Sequence, residues 1–433
     1  MADEIVLIII ALSIFALCIV AFSRENWDYI STAFLGCVIL VVLVVSQQEH
    51  ASFEFLGVID FEAILFIFGM QLVVIIGEHE HVFEWVAIKM IRATKGNQRQ
   101  FFYLTIILGT IFTAFVGDLA VALIFTPLII KACRILEIPA GTYILCFVIS
   151  IKMGTLLTPY SCAENFIAAE KLELSPEFFV INMGPLALLL LIITLYLTDR
   201  FILKKERQVA PERKLLLLEL LDASVVIENK RRFHIATFGI LSMFVCLFAL
   251  PIAPDFLIVL IFGFILVLCT GRKMKTLFGE IEWNLIFFFI ALFVLIGVLN
   301  ELGFMQAIGD GVAAISGGNV VLASVFLFLF SSMLAAPLVN APVILFFLPL
   351  IQVLGAGGIA MPPLAVGLIL GTNIGSTFLP QGAPAEMMAL QISKKFSVPN
   401  MSFRRLFRVG ASITSIHFLL SLFYVVLYSL FYI

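Results

Sequence analysis

Charge is scarce in this chain. Asp, Glu, Lys and Arg make up 13% of the 433 residues, against roughly a quarter in soluble domains, while 62% are hydrophobic and the mean hydropathy is +1.15. That composition excludes a soluble globular fold and predicts an all-α polytopic membrane protein. Also missing is a basic segment ahead of the first apolar run, MADEIVLIIIALSIFALCIVAF, and with no obvious cleavage site the run is expected to stay as a membrane helix. No Walker loop, nucleophile elbow or zincin motif is present, which argues against an enzyme and against ATP-driven pumping by this chain. The cysteines, Cys18, Cys37, Cys133, Cys146, Cys162, Cys246 and Cys269, have neither metal-ligand spacing nor a paired extracellular pattern, so they read as small packing residues. No cofactor and no nucleic-acid partner is expected. The expected partners are the lipid bilayer and a small ion.

A membrane helix needs about 20 apolar residues. Runs of that kind fall at 5–22, 30–46, 59–77, 142–170, 178–199, 233–250, 255–270, 281–299, 363–392 and 408–432, which predicts about ten transmembrane helices. The runs 101–131 and 318–354 are too long for one span and too short for two with a loop. Each has a break in its middle, at Gly117-Asp118 and at Asn340-Ala341-Pro342, so both are read as re-entrant hairpins. With that choice every Lys and Arg except Lys152 and Lys171 falls in loops on one face, and the opposite loops 47–58, 300–317 and 354–362 have none. The positive-inside rule then puts the basic loops in the cytoplasm and both termini outside the plasma membrane.

The chain also resembles itself. IDFEAILFIFGMQLVVIIG from Ile59 matches IEWNLIFFFIALFVLIGVL from Ile281 at an offset of 222, and the same offset lays Pro127 on Pro349 and Asp118 on Asn340. At an offset of 221, MGTLLTPYSCAEN from Met153 lies on IGSTFLPQGAPAE from Ile374. Two inverted-topology repeats follow. The organisation is N-terminal helices at 1–58, repeat 1 at 59–199, a linker at 200–232, a linking helix pair at 233–280 and repeat 2 at 281–433. The linker, with LLLLELLDASVVI between basic clusters, reads as a cytoplasmic amphipathic helix along the headgroups. Segments 142–170 and 363–392 each carry Gly and Pro mid-span and read as broken helices at the midplane. Freed backbone groups are tolerated there only in protein or at a cavity, the pattern of secondary transporters.

At these residues the chain resembles the ion transporter superfamily, which includes citrate and dicarboxylate transporters, arsenite permeases, the P-protein group and sodium/proton antiporters of the NhaD type. FVGDLAVALIFTP and LVNAPVILFFLP look like its hairpin tips, and MGTLLTPYSCAEN and LGTNIGSTFLPQGAPAE like its broken helices. The resemblance implies a scaffold half and a mobile transport half, a homodimer with elevator-like motion, and ions held between each tip and its neighbouring broken helix. The first implied site draws on Gly117, Asp118, Thr158, Ser161 and Asn165, and the second on Asn340, Ala341, Gly382, Ala383 and Glu386. A coupling Na+ would engage Asp118, Asn165 and Asn340; a proton is the other coupling ion. Dicarboxylate members carry Ser-Asn-Thr at both tips, whereas here the tips read Val116-Gly117-Asp118 and Val339-Asn340-Ala341. Glu386 also stands where Asn is usual, which favours the permease and antiporter branches.

An unpaired carboxylate in hydrocarbon costs several kcal/mol, so Asp118 must be paired, protonated, hydrated or holding a cation. Its plain alternative is a structural acid capping its own hairpin tip. Glu386 has the same two readings, as a second cation or proton site or as a group at the cytoplasmic mouth, and Glu164 is placed near the outer end of its helix. Lys152, with Asn373 as its repeat partner, has three: neutralising Asp118, attracting an anionic substrate, or snorkelling to the inner surface. EHEH, Glu78 to His81, is expected to be a solvated interfacial segment. The expected function is ion-coupled secondary transport, as a cation/proton antiporter or proton-coupled permease. The alternatives are an anion permease for citrate, another oxyanion or arsenite, and, third, a channel or receptor. The topology is directly testable. With the native cysteines replaced, a cysteine at Gly318 is expected to react with an impermeant thiol reagent on intact cells, and one at Lys273 only after permeabilisation.

Overall fold

The computed structural model describes residues 2–22, 27–46, 54–205, 225–249, 253–338 and 340–432. Among these residues the regular structure is entirely helical. The helices are α1 (Ala2–Phe22), α2 (Tyr29–Val45), α3 (Phe61–His79), α4 (Val82–Ala93), α5 (Gln98–Val116), α6 (Asp118–Leu136), α7 (Ala140–Ile151), α8 (Ala163–Lys171), α9 (Pro176–Asn182) and α10 (Gly184–Phe201). They continue as α11 (Lys230–Ala249), α12 (Asp255–Thr270), α13 (Met274–Phe278), α14 (Trp283–Glu301), α15 (Phe304–Ser316), α16 (Val320–Ala335), α17 (Asn340–Ala356), α18 (Met361–Gly375), α19 (Pro384–Lys395) and α20 (Phe403–Leu430). Seven of them are at least 18 residues long and apolar enough to cross a membrane. The amphipathic stretch 206–224 expected in the linker lies outside the described residues, as does Val339.

Both helix–turn–helix units and both broken helices are present, and the two arms of the first unit, 19 residues each, are individually long and apolar enough to cross a membrane. α5 and α6 turn back on each other at Gly117, and α16 and α17 do so beyond Ala335. α7 and α8 are separated by 3-10 turns at Lys152–Leu156 and Pro159–Ser161, and α18 and α19 by one at Pro380–Gly382. At a rise of about 1.5 Å per residue, α7 and α19, with 12 residues each, reach only about 18 Å into a hydrocarbon core about 30 Å thick. Neither is long enough to cross such a core alone. Pro127 and Pro349 sit inside α6 and α17, so the two returning arms carry the same internal proline.

Within each repeat the broken helix packs on its hairpin through small residues, as helices in lipid do when hydrophobic burial gives no driving force between them. α18 presents Gly367, Gly371 and Gly375, one per turn, to α16. A methyl at Gly367 would stand 2.6 Å from the carbonyl of Ser324 and one at Gly371 2.7 Å from that of Phe328, while one at Gly375 would strike the backbone of Ser332. In repeat 1, Gly154 meets the carbonyl of Thr110 in the same way. α3, α11 and α12 pack together, as do α1, α2 and α14.

Several expectations need correction. The loop 300–317 contains α15, which packs on α14 and α17 with Met305, Gly309, Val312 and Ser316 buried. A span-length test missed it because 13 residues are too few to cross, although the helical period is legible. Segment 178–199 is two helices, α9 and α10, that part at Met183-Gly184. EHEH is an interfacial turn, as read, but it is not freely solvated: Glu80 is buried beneath Arg272 at 2.8 Å and His79 pairs with Glu280 at 2.7 Å. Among the cysteines, Cys18, Cys37, Cys133 and Cys146 are buried, whereas Cys269 is exposed, and none is in a disulfide. The glycine ladder makes a prediction. Gly371→Ala is expected to lower stability by about 1–3 kcal/mol through overpacking against Phe328, and Gly311→Ala, which meets open space, to leave thermal unfolding in detergent unchanged.

Candidate functional site

The first hairpin tip lies against the first break. Gly117 has φ +93°, a conformation glycine adopts without strain, and a methyl there would stand 3.1 Å from the carbonyl of Ser161. The Thr158 hydroxyl donates to the carbonyl of Ala114 in the last turn of α5. Ser161 Oγ donates to the carbonyls of Thr155 at 2.8 Å and Thr158 at 2.9 Å. The second tip does the same, since a methyl at Gly382 would stand 2.5 Å and 2.8 Å from the carbonyls of Ala336 and Ala335. Ala341 and Ala383 are buried there, and their side chains offer no polar atom.

The two breaks are joined by a buried amide knot. Thr155 Oγ1 is 2.9 Å from Asn373 Oδ1, Asn373 Nδ2 donates to Asn165 Oδ1 at 3.1 Å, and Asn165 Nδ2 donates to the carbonyl of Thr155 at 2.7 Å. Asn373 Nδ2 also reaches the carbonyl of Ile369 at 2.9 Å. Both Asn165 and Asn373 are thus committed to each other and to freed backbone. That is how the interrupted helices satisfy polar groups which lipid cannot.

Lys152, at the start of the first 3-10 turn, does not snorkel. Its Nζ lies 2.8 Å from Asp118 Oδ2, with the two side chains 5% and 13% exposed. The other Asp118 oxygen accepts the N–H of Leu119 at 2.9 Å, so the acid sits in the first turn of α6, where the helix dipole favours its charge, and pairs with the lysine.

Glu386 and Asn340 were expected together, and here the structure corrects the grouping. α19 packs on α6 and α7, which brings Glu386 within electrostatic reach of Lys152 and Asp118. α8 packs on α17, and Asn340 Nδ2 donates to Glu164 Oε1 at 3.0 Å. Each half-helix that follows a break thus meets the returning hairpin arm of the other repeat, a reciprocal exchange. Glu164 is in the first turn of α8, facing the second hairpin tip, and so joins the site. Its signal was in the sequence: Glu164 and Glu386 are 222 apart, the offset of Asp118 and Asn340. The alignment at 221 over the broken helices instead pairs Asn165 with Glu386.

Asp118 is thus the carboxylate in contact with the ammonium, while Glu386 stands on α19, which packs on α6 and α7, and Glu164 pairs with Asn340. Glu386 is 2% exposed and, among the described residues, neither of its carboxylate oxygens has a hydrogen-bond partner; Asn340 Oδ1 is likewise buried and without a donor. A carboxylate so placed is costly unless it takes up a proton or a cation. No group of three or more His, Cys, Asp or Glu residues suited to holding a metal ion occurs among the described residues.

Comparison with known proteins agrees with this architecture. A family model described as citrate transporter matches residues 17–371. The 46 kDa membrane protein of Mycobacterium leprae is 23% identical over 94% of this chain and 96% of its own length. An uncharacterized transporter of Mycobacterium tuberculosis is also 23% identical, over 96% and 97%. The human P protein is 22% identical over 81% of this chain and 51% of its own length. Among solved structures, the YdaH transporter of Alcanivorax borkumensis, whose topology is described as unusual, superimposes with a TM-score of 0.56 over 98% of both chains at 13% identity, a likeness of fold. The chain is a multi-pass membrane transporter and belongs to the citrate transporter family.

Proposed function

We propose that the protein is a cation/proton antiporter or proton-coupled permease in which Asp118 and Glu386 exchange protons for a cation such as Na+. The observation that carries this reading is the buried Lys152–Asp118 pair at the hairpin tip, with the unpartnered Glu386 beside it. Lys152 acts as an internal competitor. A cation arriving at Asp118 displaces the ammonium, which then turns to Glu386 and discourages that acid from holding its proton. The two carboxylates and one ammonium thus make proton occupancy and cation occupancy alternatives, the condition for exchange. Glu164 and Asn340 form the related position under the second tip, where the amide oxygen and the carboxylate are the available ligands. With both halves hinged on the Thr155–Asn373–Asn165 knot, the transport half is proposed to move as a body in an elevator-like cycle, within a homodimer in the plasma membrane.

A second reading, an anion permease for citrate or a related oxyanion, is favoured by the family description and by Lys152 lying beside the helix N-termini at Asp118 and Asn340. Three carboxylates against one already paired ammonium oppose it, because a free polyanion would enter a site of its own sign.

In proteoliposomes with an imposed pH gradient, adding sodium is expected to dissipate the gradient, and Asp118→Asn to reduce the rate at least tenfold. Uptake of labelled citrate that is lost in Lys152→Ala and indifferent to Asp118→Asn would establish the second reading instead. The ion pair makes its own prediction in thermal unfolding. Lys152→Met is expected to destabilise the protein by about 3–5 kcal/mol by stranding Asp118, and the double variant with Asp118→Asn to recover most of that loss.

A further inference from the structure

We infer that the start of α20 is a binding site for the phosphate of an anionic phospholipid. α20 has 28 residues, so at about 1.5 Å each it is about 42 Å long and exceeds the hydrocarbon core by about 12 Å, or two turns. Its far end is marked by Tyr424, Tyr428 and Tyr432, the aromatic belt of one interface. Counting back about 20 residues from Tyr428 reaches Arg408, which leaves Phe403 to Arg408 in the headgroup layer of the opposite leaflet. This is the leaflet that faces the basic loops.

The residues in that layer form a built site. Ser402, Arg404, Arg405, Arg408 and Val409 line a cavity of about 550 Å³. Arg405 is anchored, donating to the carbonyl of Asn400 at 2.6 Å and to Thr142 Oγ1, on α7, at 3.0 Å. Arg404 and Arg408 are exposed one turn apart and, among the described residues, neither is in an ion pair. Along the sequence, Met387 to Ile433 contains five Lys and Arg residues and no Asp or Glu. Phe403 and Phe407, 37% and 40% exposed, run alongside the same two turns.

That pairing selects the ligand. Guanidinium groups one turn apart hold a phosphate by forked hydrogen bonds. The flanking phenylalanines are apolar surface at the depth where acyl chains begin, which a free phosphate would leave unused. An anionic headgroup satisfies both at once and adds the attraction of an anionic leaflet, about 1 kcal/mol per basic residue. Since α20 packs on α16 and α18, and Arg405 reaches α7, a lipid held here touches the supports of both broken helices.

The test uses the purified full-length chain in neutral detergent, with native mass spectrometry of added phosphatidylglycerol or phosphatidylcholine. The wild type is expected to retain phosphatidylglycerol in preference. Arg404→Gln with Arg408→Gln is expected to weaken that retention roughly thirtyfold, two charges at about 1 kcal/mol each. The charge-matched Lys230→Gln, Arg231→Gln variant, changed at two exposed positions at the start of α11, is expected to retain it. Equal retention of the two lipids, no change in the Arg404/Arg408 variant, or an equal loss in the control would each overturn the site. Displacement of the lipid by millimolar inorganic phosphate would make it a free-anion site and overturn the lipid assignment. Gel filtration and thermal unfolding of each variant establish that the fold is intact.

Discussion

Every feature of the hairpins and broken helices depends on one constraint: a helix interrupted inside hydrocarbon must find partners for the backbone groups it frees. Here the partners are side chains of the breaks themselves. Thr158 and Ser161 bond to carbonyls of the first hairpin and the first break, and the Thr155–Asn373–Asn165 knot binds the first break to the second. Without those bonds the loops would leave the membrane or rewind into helix, and the acids carried on either side of them would lose their common depth.

Once the breaks are held, the charges follow. The short half-helices after the breaks cannot cover themselves, so each lies on the returning arm of the other hairpin, α8 on α17 and α19 on α6. This crossing sets Glu386 near the Lys152–Asp118 pair and Glu164 against Asn340. Related positions in the repeats therefore differ in chemistry, an acid paired with ammonium under one tip and an amide paired with an acid under the other.

The hairpins, both broken helices and the repeat were legible in the sequence because each leaves a local mark: Gly117 and Asn340-Ala341-Pro342 within apolar runs, Pro127 over Pro349, Gly154 over Gly375. Short helices were not. α15 and the α9–α10 division fall below the length at which an apolar run signals a span, and only packing gives them a place. Asp118 and Lys152 were legible as candidates, since a lone charge in an apolar run needs an explanation. Their pairing was one of three open readings, because a lysine stem is long enough to reach either the acid or the membrane surface. Glu164 reads as near the outer end of its helix, whereas it stands in the first turn of α8, against Asn340.

The sequence by itself determined the solvent, the repeat and the residue types at the tips and breaks. All of these are set by hydropathy, by periodicity and by where glycine and proline forbid a regular helix. Only the tertiary structure decided which acid meets which partner. Asp118 and Glu386 are separated by more than half of the chain, and it is the packing of α19 onto α6 that brings their helices together. Such a pairing depends on how half-helices of opposite repeats exchange partners, and no local pattern encodes it.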